Sequence, residues 1–77
     1  MSQKSAVVYS QPNCPGCNSA KVALRVAGYA VEERVLGSGW TKEQLWKDFP
    51  GARSVPQIIV DSVPIGDLQK LNEFLAD

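Results

Sequence analysis

The chain changes its pattern abruptly at Cys14-Pro15-Gly16-Cys17. Before this point, Lys4 to Tyr9 form a short β-rich run that ends in the turn-forming cluster Ser10-Gln11-Pro12-Asn13. After it, Ala20, Ala23, Leu24 and Ala27 recur at helical spacing until Gly28 stops them, which predicts a helix over about 15–27. Both cysteines therefore sit where a strand feeds a helix. A chain of 77 residues buries only about 60 % of the surface its unfolded form exposes. It has room for one sheet and a few helices, in a single domain spanning residues 1–77.

The rest of the chain continues the alternation. Tyr29 to Val35 resumes a β-branched, alternating character, and Leu36-Gly37-Ser38-Gly39 ends it. Thr41-Lys42-Glu43-Gln44 reads as a capping box, with the Thr hydroxyl accepting from a first-turn N–H and the Gln side chain returning the bond. A short helix through Phe49 follows, broken by Pro50-Gly51. Gln57 to Val60 predicts a third strand, and Asp61-Ser62 a turn into a short edge strand, Val63-Pro64-Ile65, where a proline is tolerated. Beyond Gly66, Asp67 can cap a last helix carrying Leu68, Leu71, Phe74 and Leu75. The predicted order is β-α-β-α-β-β-α. The first two strands are joined by a helix and should pair in parallel, whereas the last two are too close for anything but a hairpin, so the sheet is four-stranded and mixed.

Cys14 and Cys17 are the only cysteines, and the chain has no histidine, so one copy cannot assemble a tetrahedral zinc site. The missing imidazole also excludes Ser/His and Cys/His nucleophilic catalysis. A static crosslink over such a short loop adds little by chain entropy, and burial of the sulfurs as small hydrophobes leaves the flanking prolines unexplained. A redox pair remains. At the N-cap or first position of the helix, Cys14 faces unpaired N–H groups and the positive end of the helix dipole, which favours its thiolate over the thiol of about 8.5 in free cysteine. Pro15 suits that first turn, where its missing N–H is no loss. Cys17, one turn deeper on the same side and more covered, suits a resolving thiol. Lys21, a further four residues on, either lends charge to the site or is an ordinary solvated lysine.

The 8 basic residues are balanced by 8 acidic ones and form no run, which leaves no electrostatic footprint for nucleic acid. No apolar stretch approaches the ~20 residues of a membrane span, and Met1-Ser2-Gln3-Lys4-Ser5 lacks the apolar region of a signal peptide. The expectation is a cytoplasmic monomer without nucleic-acid or membrane partners. Trp40, Trp46 and Phe49, around the second helix, read as core or lid packing. Pro56 suits either a strand's first residue or a cis turn, the trans form being the commoner.

Tyr9 through Lys21, with Cys14-Pro15-Gly16-Cys17 at its centre, resembles the active-site segment of the glutaredoxins. Arg53-Ser54-Val55-Pro56-Gln57-Ile58 is similar to their threonine-valine-cis-proline segment, and Ile65-Gly66 with Leu71 and Phe74 to their glycine-pair turn and final helix. The resemblance covers nearly the whole chain, in order and at the family's spacing. It implies a thioredoxin fold, a cis Val55–Pro56 bond facing the cysteines, and dithiol–disulfide exchange with glutathione as reductant and no metal. By position, Cys14 attacks the substrate disulfide and Cys17 resolves or regenerates it. The implied glutathione site draws on Gln11, Gly16, Arg53, Ser54, Val55, Pro56, Gly66, Asp67 and Leu68. In it the Val55 backbone pairs with the cysteinyl part, and the helix N-terminus at Gly66-Asp67-Leu68 receives the γ-glutamyl carboxylate.

The chain also departs from the family. Gly16 stands where an aromatic is common, and Gln11 where a lysine or arginine often meets the glycyl carboxylate, with Arg53 a candidate substitute. Asp67 replaces the second glycine of the pair, and Gln69 and Lys70 replace acidic residues. Three functions follow from the resemblance. The first is a glutathione-linked oxidoreductase acting on protein disulfides, ribonucleotide reductase among them, or on glutathione mixed disulfides. The second is a redoxin recharged by thioredoxin reductase. The third is an iron–sulfur carrier dimer, in which each subunit gives Cys14 and glutathione gives the remaining thiols.

Overall fold

The computed structural model describes residues 4–76. The opening Met1-Ser2-Gln3, part of the stretch where no signal peptide is expected, lies outside the described residues, as does Asp77. The elements follow the predicted order: β1 Ser5–Ser10, α1 Pro15–Val26, β2 Ala30–Val35, α2 Lys42–Asp48, β3 Gln57–Val60, β4 Val63–Gly66 and α3 Leu68–Ala76. The four strands lie side by side as β2-β1-β3-β4. β1 runs parallel to β2, with Val8 opposite Glu33, and antiparallel to β3, with Val8 opposite Ile58. β3 and β4 form the expected hairpin. Its turn residues Asp61 and Ser62 have φ of 50° and 69°, the left-handed geometry that two-residue hairpin turns require. This is the thioredoxin fold.

Alternation along the two central strands sends side chains to both faces of the sheet. On one face Ala6, Val8, Ile58 and Val60 pack with Ala20 and Leu24 of α1 and Leu71 of α3, all of them buried. On the other face Tyr9 and Ile59 pack with Leu45 of α2, and Trp40, Phe49 and Val55 close around them. The sheet is thus covered on both sides, and this is why Gln57-Ile58-Ile59-Val60 reads as an almost unbroken apolar run. Among the described residues no helix is long and apolar enough to cross a membrane.

The element ends are set by specific residues. Thr41 and Gln44 make both bonds of the capping box that starts α2. The Asp67 carboxylate accepts from the Lys70 N–H at 3.0 Å and so caps α3. Beneath the second face the Tyr9 hydroxyl donates to Asp48 Oδ2 at 3.1 Å and accepts from Arg34 Nη1 at 2.8 Å. The Arg34 guanidinium lies 4.4 Å from the Trp40 ring centroid. Burial pushes the Tyr9 hydroxyl above its ordinary pKa, so it stays a neutral donor throughout the physiological range.

One tie was not anticipated. Lys21 on α1 donates to Glu33 Oε2 on β2 at 2.9 Å, and the buried Ser10 hydroxyl donates to the same oxygen at 2.8 Å. Lys21 is therefore neither free to serve the cysteines nor simply solvated: it clamps the first helix to the sheet. The Lys21 hydrogen bond, with that of Ser10, holds the Glu33 carboxyl below the usual carboxylate range. A depressed folded-state pKa means that this stabilisation is present above the unfolded value of about 4.3 and is lost as pH falls through the folded value. Chemical denaturation should find Glu33→Gln less stable than the parent at pH 7, with the gap closing below about pH 4. A gap that persists unchanged at pH 3 would contradict this role for the carboxylate.

Candidate active site

β1 delivers the chain to the C-terminal edge of the sheet, and Gln11 to Asn13 turn it into α1. Asn13 takes a positive φ of 60°, a conformation that asparagine tolerates better than most residues. Cys14 then occupies the N-cap with extended backbone, and Pro15 opens the helix. The Cys17 N–H donates to Cys14 Sγ at 3.1 Å. The Cys14 side chain therefore takes up one of the N–H groups that a helix start leaves without a partner. The two sulfurs are joined as a disulfide, with the Cα atoms 5.3 Å apart, inside the usual range for such a bridge. Cys14 is half-buried, whereas Cys17 is only 1 % exposed. A reagent approaching from solvent meets Cys14 first.

The segments singled out in the sequence converge on this pair. The peptide bond between Val55 and Pro56 is cis. A Cβ built on Gly16 would stand 3.5 Å from Pro56 Cδ and 3.8 Å from Leu68 Cδ2, so the Cys-Pro-Gly-Cys turn, the cis proline and the start of α3 meet at one point. Gln11, Arg53, Ser54 and Val55 line a groove of about 410 Å³ beside it. Gly66 and Asp67 lie at the entry to α3. Gly66 has a φ of 127°, and a Cβ there would come within 3.0 Å of Lys70 Cγ. The Asp67 carboxylate already takes one first-turn N–H of α3, which leaves fewer donors for an incoming anion than a glycine at this position would.

Sequence reasoning missed the far wall of the groove, formed by Leu36, Lys42, Leu45, Trp46 and Ala52. Trp46, expected as core or lid packing, is not in the core: it stands at the groove wall, 42 % exposed, and its indole Nε1 donates to the Ala52 carbonyl at 2.8 Å. That bond pins the segment leading to Ser54 and Val55. The four-residue spacing of Lys42 and Trp46 on α2 is the signal that could have grouped them on one face. Trp40 and Phe49 do pack as expected, each edge-on to Tyr9.

The family model described as Glutaredoxin matches residues 6–65. The chain is 35 % identical over 68 residues to Glutaredoxin 1 of Rickettsia conorii, covering 84 % of this chain and 66 % of that protein. It is 30 % identical over 64 residues to Glutaredoxin 3 of Escherichia coli K12, covering 83 % of this chain and 77 % of that one. Among solved structures, a glutaredoxin from Brucella melitensis superposes with a TM-score of 0.76 at 27 % identity, covering 99 % of this chain and 83 % of the other. A buckwheat glutaredoxin–glutathione complex shares the fold, with a TM-score of 0.80 at 22 % identity over 96 % of this chain and 70 % of that one.

The Gly66 contact gives a direct check on the α3 end of the site. Gly66→Ala combines an unfavourable backbone angle with a crowded Cβ and is expected to lower the unfolding free energy by about 1–3 kcal/mol in urea melts. A midpoint equal to that of the parent would contradict the close approach of Lys70.

Proposed function

The chain belongs to the glutaredoxin family, and on that premise we propose that it is a thiol–disulfide oxidoreductase that draws its electrons from glutathione. The observation that carries the proposal is the Cys14–Cys17 pair at the start of α1, with the Cys17 N–H directed at Cys14 Sγ. When the pair is reduced, that donor and the helix dipole favour the anionic form of the Cys14 sulfur.

The Cys14 thiolate attacks one sulfur of the substrate disulfide. A Cys14–substrate disulfide forms, and the other substrate sulfur leaves as a thiolate. Cys17 then gives up its proton and attacks Cys14 Sγ, expelling the second substrate sulfur and closing the Cys14–Cys17 disulfide. Two electrons have passed from the enzyme dithiol to two substrate thiols. One glutathione thiolate reopens the pair by forming a mixed disulfide at Cys14, and a second displaces it as oxidised glutathione. With a glutathione mixed disulfide as substrate, Cys14 alone is sufficient for turnover. The burial of Cys17 fits its later role, because it acts only on a sulfur already attached to its neighbour.

In this reading glutathione lies across the junction of Gly16, Pro56 and Leu68. Its cysteinyl part meets the Val55 backbone, its glycyl carboxylate faces Gln11 and Arg53, and its γ-glutamyl end lies toward Gly66 and Asp67. A second reading, recharging by a thioredoxin reductase, is favoured by one observation: the Asp67 carboxylate already occupies the first turn of α3, where a γ-glutamyl carboxylate would bind. Both versions act on protein disulfides through Cys14 and Cys17.

Coupled assays following NADPH oxidation separate the two reductants. Glutathione with glutathione reductase should support turnover, and thioredoxin reductase alone should not; the opposite pattern would replace the first reading by the second. Cys14→Ser should abolish activity on both a protein disulfide and a glutathione mixed disulfide, while Cys17→Ser should lose only the former. Equal loss in the two variants would refute the assigned roles.

A further inference from the structure

The groove that ends at Gln11 and at Val55, one residue before the proline that meets Gly16, is chemically lopsided. Its floor is apolar, with Leu45 buried and Leu36 and Val55 half-buried. Its rim is exposed and carries Lys42, Trp46 and Arg53, and among the described residues no aspartate or glutamate lines it. Over the whole chain 8 basic residues are balanced by 8 acidic ones, so two cations without a carboxylate at the same groove are a local excess. The ion pairs among the described residues are Lys21–Glu33 and Arg34–Glu32, so Lys42 and Arg53 have no carboxylate within 4 Å, as is also true of Lys4, Arg25, Lys47 and Lys70; what sets the first two apart is that they share one groove.

Stability does not account for Lys42. It occupies the first position of α2, directly after the Thr41 N-cap, where a positive charge opposes the helix dipole. A charge held in an unfavourable place, at the mouth of a groove and without a partner, fits a role toward a ligand. One carboxylate of a tripeptide such as glutathione can satisfy one of the two cations. A peptide segment with more than one acidic side chain can satisfy both. Trp46 adds a flat wall for an extended backbone, and its bond to the Ala52 carbonyl at 2.8 Å fixes that wall before binding, which lowers the entropy cost of docking.

We propose that the groove between α2 and residues 52–55 docks an extended acidic segment of a protein disulfide substrate, next to the cysteine that reacts with Cys14. The inference rests on the thiol–disulfide exchange described above and names the substrate class for that same site. Lys42 and Arg53 read the acidic side chains, and Trp46 and Leu45 hold the backbone between them.

The test uses the full chain and two synthetic peptides, each with one cysteine joined by a disulfide to 2-mercaptoethanol. One peptide carries three glutamates flanking the cysteine and the other three glutamines. At low salt the glutamate peptide should have a kcat/KM about 3–30 times higher, from exposed pairs of modest strength, and the preference should shrink as salt rises. Lys42→Gln should lower that ratio about 2–5-fold, Arg53→Gln should lower it likewise, and Lys47→Gln, outside the groove on α2, should leave it unchanged. Equal turnover of the two peptides, or a ratio indifferent to Lys42→Gln, would overturn the docking inference alone. Failure to turn over either peptide would overturn the exchange reading and the inference together.

Discussion

The first turn of α1 holds a backbone N–H at 3.1 Å from the sulfur of Cys14, and most of the site is arranged so that this can happen. A helix start offers N–H groups that its own carbonyls cannot satisfy, and here a cysteine side chain occupies the N-cap that serine, threonine or aspartate more commonly fills. The sulfur gains a donor and the helix gains a cap. Proline at the next position loses nothing by having no N–H. One local solution thus serves both the fold and the chemistry.

That turn is held in place by two layers of packing. Beneath it, Ala20 and Leu24 of α1 are fully buried against Val8 and Ile58, so the helix cannot tilt without opening the core. Beside it, the Lys21–Glu33–Ser10 cluster binds α1 to the ends of β1 and β2, close to where the chain leaves the sheet for the cysteines. Opposite it, Pro56 and Leu68 stand against Gly16, so α3 and the start of β3 share a boundary with the reactive turn. The far face of the sheet contributes through α2: Leu45 anchors the helix in the lower core, and its exposed side presents Lys42 and Trp46 to the groove. The α1 and α3 side supports the two sulfurs, and the α2 side forms the wall of the groove.

Much of this was legible before any coordinates. Local rules suffice for Cys14 as a cap, for Thr41 and Gln44 as a capping box and for Asp61-Ser62 as a hairpin turn, because each depends on residues a few positions apart. The alternation of strands and helices followed from hydrophobic spacing, and the element ends moved by only a residue or so; β1, for example, runs to Ser10 rather than Tyr9. The meeting of Gly16, the cis Val55–Pro56 bond and the start of α3 was expected only through the family resemblance, and side-chain ties between distant segments could not be read at all. Lys21 meets Glu33 across a helix and a strand, so its pattern alone suggested only a charge on a helix surface. Trp46 read as core or lid packing because large aromatic side chains usually pack, and only the folded chain shows its ring at a groove edge with its N–H bound to the Ala52 carbonyl. The groove draws on four stretches of sequence, around Gln11, Leu36, Lys42 to Trp46 and Ala52 to Val55; the resemblance joined Gln11 to residues 53–55, and nothing in the sequence joined Leu36 or the α2 residues to them.

The proposed chemistry depends on the charge of one atom, Cys14 Sγ, and the rate at which iodoacetamide alkylates the reduced protein, followed from about pH 4 to 10 with mass-spectrometric assignment of the modified cysteine, measures that charge directly. Cys14 should react first and with a midpoint well below the value of about 8.5 for a free cysteine thiol, while Cys17 stays protected until the fold is lost. Alkylation of Cys14 with the midpoint of a free thiol, or equal labelling of the two cysteines, would contradict a thiolate held by the start of α1.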